Sequence, residues 1–137
     1  MNRFEETVMS TEIHQEIRYA TSPIAMYECL LDAERFTAMT GAPAEISTEE
    51  GGPFSCFGGM IHGRQIELVP GQRIVQAWRV RDWPDGVFSL VRFAFQEHTA
   101  GTLVVFDHVG FPAGQREHLA EGWHANYWDP LRKAVET

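Results

Sequence analysis

The sequence predicts a single α+β domain: a curved antiparallel sheet of about six to seven strands wrapped around one long C-terminal helix, with two short helices after strand one. Two observations carry this. Over residues 114–135, Leu119, Trp123, Tyr127 with Trp128, Leu131 and Val135 recur every three to four positions with charged residues between them, an amphipathic helix with an aromatic stripe. Nearly everything from Ala42 to Gly110 instead reads as short strands punctuated by glycine and proline. At 137 residues the chain suits one domain with a real core, which we place at 11–137 behind a flexible tail at 1–10.

Thr11 to Tyr19 alternates, with Ile13, Gln15, Ile17 and Tyr19 on one side and His14, Glu16 and Arg18 on the other, so it is strand one. Ser22 is a helix N-cap followed by Pro23 at the first helical position, and Ile24, Tyr27, Leu30 and Leu31 supply the buried face. Asp32 caps a second short helix holding Phe36 and Met39, which Thr40-Gly41 ends. Strands follow at Ala42 to Ser47, Pro53 to Phe57 and Met60 to Val69, with turns at 49–52, Gly58-Gly59 and Pro70-Gly71. Proline and glycine in that last pair stand where a type II turn wants them. Both faces of Met60 to Val69 mix polar and apolar residues, which leaves the side of Glu67 open.

Arg73 to Arg81 puts Ile74, Gln76, Trp78 and Val80 inward, and its arginines mark the face toward water. Past the loop Trp83-Pro84-Asp85-Gly86, Val87 to Glu97 groups Ser89, Val91, Phe93 and Phe95. A turn at 98–101 leads into Thr102 to Gly110, where Val104, Phe106 and His108 share a face. In the terminal helix, each large buried aromatic contributes roughly 4 kcal/mol, at ~150 Å² and ~25 cal/mol per Å², so three of them outweigh the ~3 kcal/mol of a mid-helix proline. Pro130 is therefore expected to bend the helix without ending it, and to displace the carbonyl of Asn126.

A formal charge of −8, from 19 acidic and 11 basic residues, and the lack of a basic stripe speak against nucleic acid as a partner. No apolar run approaches the ~20 residues of a membrane span, and the opening residues do not resemble a secretory signal, so a soluble cytoplasmic protein is expected. Cys29 and Cys56 read as reduced core thiols. The six histidines have no metal-ligand spacing, no nucleophile-elbow context surrounds Ser55, Ser89 or Cys56, and no phosphate-binding glycine loop occurs. The expectation is a chain without metal, cofactor or catalytic residues.

The run GGPFSCFGGMIHGRQIELVPGQRIVQAWRVRDWP from Gly51 to Pro84, with GTLVVFDHVGFP from Gly101 and EGWHANYWDPL from Glu121, resembles the Activator of Heat-shock Protein 90 ATPase homologue family of the START-like helix-grip superfamily. The resemblance spans nearly the whole chain from Thr11. It implies the helix-grip fold. It also implies a superfamily whose members include carriers of lipids and other hydrophobic ligands, cyclases and stress-response proteins. In the eukaryotic activators of this family such a domain follows a separate N-terminal domain, for which 137 residues leave no room, so any contact with the heat-shock protein 90 chaperone is expected through this domain alone.

The natural ligand site of this fold is a cavity between helix and sheet. There Gln76 and His108 are the candidate polar anchors and Trp78, Phe93, Phe106, Trp123 and Tyr127 the candidate apolar walls. A buried polar group without a partner costs ~1 to 3 kcal/mol, so Gln76 and His108 must each bond something, whether protein, water or ligand. The same aromatics also serve as core. Asp107 points opposite to His108 by strand alternation, which argues against an acid–base pair. A small apolar or amphipathic ligand is the first functional expectation; a surface interaction with a protein partner is the second, and cavity acid–base chemistry the third. Phe88, Leu90, Leu103, Val105 and Val109 fall on the outer face, an apolar patch suited to a homodimer or partner.

Overall fold

Strand β1 (Glu12–Tyr19) opens the domain in a computed structural model that describes residues 10–136; the predicted tail, Ser10 apart, lies outside the described residues. Ile13, Ile17 and Tyr19 are buried, as their alternation requires. Helix α1 (Pro23–Leu31) starts where the Ser22 side chain accepts from the Ala25 amide, with Pro23 in the first turn. Asp32 then ends α1 and begins α2 (Ala33–Thr40): its amide donates to the Glu28 carbonyl while its carboxylate accepts from the Arg35 amide. The buried face of α1 is Met26, Tyr27, Leu30 and Leu31; Ile24, expected inside, is exposed, because Met26 sits on the core side of that short helix.

The sheet follows as β2 (Glu45–Ile46), β3 (Pro53–Cys56), β4 (Ile61–Val69), β5 (Arg73–Val80), β6 (Ser89–His98) and β7 (Gly101–Val109). Its order is β1-β7-β6-β5-β4-β3-β2, all neighbours antiparallel, so it is an open seven-stranded sheet with β1 and β2 at the edges. The strand expected over Ala42 to Ser47 shrinks to two residues.

The mixed faces of β4 have a physical cause. A bulge between Gln65 and Glu67 shifts the register, so Ile61, Gly63 and Gln65 point inward before it and Leu68, opposite Ile74, packs against the core after it. Glu67 thereby lies outside, paired with Arg73. Gly71 has φ +70 and the Gln72 amide bonds the Val69 carbonyl, the backbone a type II turn requires.

One arginine departs from the expected wet face. Arg79 is 6 % exposed, and its guanidinium donates to the carbonyls of Arg81, Trp83, Pro84 and Val87. Loop 81–87 wraps this cation, which a period-two reading of the strand does not foresee.

The terminal helix runs from 116 to 135 as α3 (Arg116–Trp123), a widened turn at His124–Trp128 and α4 (Asp129–Val135). In that turn the Asp129 amide bonds the His124 carbonyl, five residues back, so the ladder has already opened where the Pro130 ring would meet the Asn126 carbonyl. The helix lies on the inner face of the sheet: Trp123 and Phe106 have ring centroids 4.3 Å apart, and Trp128 packs on Phe93 and Phe106. Edge strand β1 holds it too. Gln15 accepts from the Trp128 indole and donates to the Ala120 carbonyl, and the Tyr19 hydroxyl donates to the Trp128 carbonyl. Cys29 and Cys56 are both unpaired thiols, and burial pushes Cys56 up to about 12.

Candidate functional site

A cleft of about 660 Å³ opens between the terminal helix and the β4–β5 end of the sheet. Its walls are Trp78 from β5, Trp83 from the loop behind it, and Leu119, Trp123 and Tyr127 from the helix, with Phe57, Met60, Ile61 and Val80 completing the apolar surface. The polar groups at its edge are Asp82, His118 and Asn126, all exposed, and the half-buried Gln115. Spacing of three to four residues along the helix brings Leu119, Trp123 and Tyr127 to one side. Trp78 reaches them because β5 alternation turns it inward, and its ring lies 5.3 Å from Trp123 and 5.8 Å from Trp83.

Of the seven residues nominated from sequence, Trp78, Trp123 and Tyr127 line this cleft. Gln76 and Phe93 face a separate inner void of about 10 Å³, which Tyr127 also borders. Phe106 and His108 are fully buried and pack behind Trp123. Sequence reasoning missed Trp83, which it read as part of a turn, and the rim residues. A tryptophan inside a Pro-Asp-Gly turn was the available signal, since so large an apolar side chain seldom stays in a turn without a surface to cover.

His108 and Gln76 hold their polar contacts within the protein. The Trp123 indole N–H donates to His108 Nδ1 at 3.0 Å. An indole nitrogen only donates, so Nδ1 accepts and the ring proton sits on Nε2, which faces the Ser89 hydroxyl at 2.7 Å. The Ser89 hydroxyl in turn donates to the Trp78 carbonyl at 3.0 Å. Burial drives the His108 pKa down to about 3, in keeping with a neutral imidazole. Gln76 donates to Gln65, which donates to the Ser47 carbonyl. With its proton on Nε2 the imidazole donates to the Ser89 hydroxyl and has no free nitrogen there to act as a base, and neither side chain lines the cleft.

One polar atom at the cleft is left over. Trp78 is 3 % exposed, and its indole N–H is buried without a hydrogen-bond partner among the described residues. Burial, and to a lesser degree the neighbouring Cys56, hold the Tyr127 hydroxyl well above the usual phenol range, with the Trp78 N–H opposing them weakly and without the geometry of a hydrogen bond. For a metal, the described residues gather no group of three histidine, cysteine or carboxylate side chains.

Comparison with known proteins places these features in a lineage. Residues 20–136 match the family model described as "Activator of Hsp90 ATPase homolog 1-like protein". The Homo sapiens protein named Activator of 90 kDa heat shock protein ATPase homolog 1 is 30 % identical over 115 residues, covering 84 % of this chain and 34 % of the human one. The homologue named likewise in Dictyostelium discoideum is 34 % identical over 115 residues, covering 83 % of this chain and 30 % of its own. This chain thus spans about a third of the length of the curated relatives it matches. A crystal structure described as an HSP90 activator from Plasmodium falciparum superposes with a TM-score of 0.85 at 26 % identity, covering 89 % of this chain and 94 % of that one. With the family model matched over all but the first β-strand and the seven strands gripping one terminal helix, the chain belongs to the Activator of Hsp90 ATPase homolog 1-like family.

Proposed function

We propose that this protein binds a small amphipathic molecule in the cleft between its terminal helix and the β4–β5 end of the sheet. The observation that carries the reading is the cleft itself: about 660 Å³, walled by three tryptophans and Tyr127, with polar groups gathered at its edge. Ligand sites of small-molecule carriers have this size and this division of apolar wall and sparse polar groups. In this reading Trp78, Trp123 and Tyr127 contact the ligand. Gln76, Phe93, Phe106 and His108 support the wall from behind. Native mass spectrometry of the purified protein tests it: a carried ligand adds mass that vanishes on denaturation, and a clean apo mass together with no uptake of added amphiphiles overturns it.

A second reading is contact with a 90 kDa heat-shock chaperone through the surface. It is favoured by the matches to proteins named as activators of that chaperone's ATPase, and by the Plasmodium structure, nearly all of which this chain covers. Adding this protein to such a chaperone and measuring ATP hydrolysis tests it. Stimulation that persists when the cleft is blocked by Gly122→Trp supports the surface reading, and no stimulation with no complex by gel filtration removes it. For the outer face of the sheet, where Phe88 and Leu90 are 47 % and 41 % exposed, the partner we propose is a second copy of this chain.

A further inference from the structure

The buried, unpartnered indole N–H of Trp78 says what kind of molecule the cleft takes, an inference that rests on the ligand-binding reading above. Every deeper polar side chain on that side of the sheet is committed within the protein. His108 is engaged at both ring nitrogens, Ser89 bonds the Trp78 carbonyl, and the amide of Gln76 donates to Gln65. Among the described residues the Trp78 indole N–H is the fully buried side-chain donor left without an acceptor. A buried donor left unpaired is a cost to the empty protein that an incoming acceptor removes.

The lining also limits the charge of that acceptor. Among the described residues no lysine or arginine lines the cleft; Asp82 is its one carboxylate, and His118 stands at the exposed edge away from the floor. A carboxylate brought to the floor would meet a neutral N–H, the Tyr127 hydroxyl and apolar rings, with no cation to offset the water it gave up. A pure hydrocarbon would leave the indole N–H as it is. An uncharged acceptor such as a ketone or amide carbonyl satisfies the donor without that desolvation.

Access requires one side chain to move. Tyr127 borders both the cleft and the inner void, and its hydroxyl lies beside the Trp78 N–H in the empty protein. The void of about 10 Å³ cannot take the ring, so uncovering the donor requires Tyr127 to move together with the turn that carries it. Tyr127 stands on the widened turn 124–128, where the helix ladder is already open.

We infer that Trp78 is the specificity-determining donor of the cleft, and that the ligand is an uncharged ring compound presenting a carbonyl-type acceptor to the Trp78 N–H.

Three probes of one shape test this: 2-acetylnaphthalene, 2-isopropylnaphthalene and 2-naphthoate, titrated against tryptophan fluorescence in the full chain and in Trp78→Phe, which keeps a ring and removes the N–H. The expected result is that the wild type binds the ketone about tenfold tighter than the hydrocarbon, the worth of one net hydrogen bond, with the carboxylate weaker than the ketone. Trp78→Phe should bind ketone and hydrocarbon alike. In ¹⁵N-labelled protein the Trp78 indole proton should move downfield with the ketone and not with the hydrocarbon, a reading that stands even if the variant does not fold. Equal affinities for ketone and hydrocarbon in the wild type, a ketone preference kept by Trp78→Phe, or naphthoate binding as tightly as the ketone would each overturn the inference while leaving the cleft a ligand site. Binding of none of the three overturns the ligand role and the inference with it.

Discussion

His108 and His14 respond to pH in opposite directions, for reasons visible in their partners. His108 is 0 % exposed and burial lowers its pKa to about 3 from an ordinary 6.5. Between those values the unfolded chain binds the proton and the folded one does not, so its contribution is complete above pH 6.5 and is lost as pH falls, at up to roughly 1.4 kcal/mol per pH unit. His14, on the outer face, has its pKa raised by hydrogen bonds first to Asp107 at 2.7 Å and then to Glu16 at 2.8 Å. Its contribution is present below 6.5 and fades as pH rises through the raised folded value. A histidine NMR titration checks both: the His108 ring signals should stay constant from pH 5 to 8, while His14 titrates with a midpoint above 6.5. His108→Leu leaves the Trp123 indole and the Ser89 hydroxyl short of a partner, so urea unfolding should show a loss of about 2 to 4 kcal/mol. Strand alternation was enough to put His108 inside beside Phe106. It could not show that a helix residue fifteen positions later would meet its Nδ1, because that contact depends on how the helix is seated and not on strand period.

At the level of elements, close approach and cation capping decide what period alone leaves open. Gly63 faces Trp78 across the β4–β5 ladder, and a Cβ there would come within 1.8 Å of the Ala77 carbonyl oxygen. Backbone cannot retreat from such a contact without breaking the ladder, so Gly63→Ala should cost more than about 2 kcal/mol in urea unfolding. Pro130 is the opposite case. Its usual cost of ~3 kcal/mol arises from a lost bond and a clash within a regular ladder, and here the ladder has widened just before it. Pro130→Ala should therefore change stability by less than about 1 kcal/mol, with far-UV circular dichroism nearly unchanged. The sequence contained the proline and the aromatic stripe that outweighs it, so the persistence of the helix was legible. How the helix absorbs the ring was not, since a bend and a widened turn relieve the same clash. The two-residue β2 and the bulge in β4 were hidden for a related reason: both are set by pairing with a neighbouring strand, which no local pattern reports.

Across the whole molecule the outer face of the open sheet raises the question of what covers it. The register sets Ala77, Leu90 and Val109 side by side, then Val75, Arg92, Asp107 and His14, then Arg73, Ala94, Val105 and Glu16, and then Gln96, Leu103 and Arg18. Four of the five residues read as one apolar patch thus fall into two groups, with Leu90 and Val109 on one side of the Arg92–Asp107–His14 row and Leu103 and Val105 on the other, while Phe88 precedes β6. Alternation could assign all five to one face, but only the register between three strands shows the charged row between them. A dimer using the whole face must enclose that row. Asp107 bonds both Arg92 and His14, and His14 also bonds Glu16, so the four balance to zero while His14 is protonated and are left with one net negative charge when the proton is lost, which raises the cost of enclosing them. For the proposed pairing of two copies, sedimentation at pH 6 should show a mass rising with concentration toward twice 15.5 kDa, weaker association at pH 8.5, and a return to 15.5 kDa in Leu90→Glu. Leu90 is 41 % exposed and faces away from the cleft wall, so this variant should keep its fold and its ligand affinity. A single 15.5 kDa species at the highest attainable concentration at both pH values removes the dimer and leaves Phe88, Leu90 and Val109 as the apolar surface that a different protein partner would have to cover.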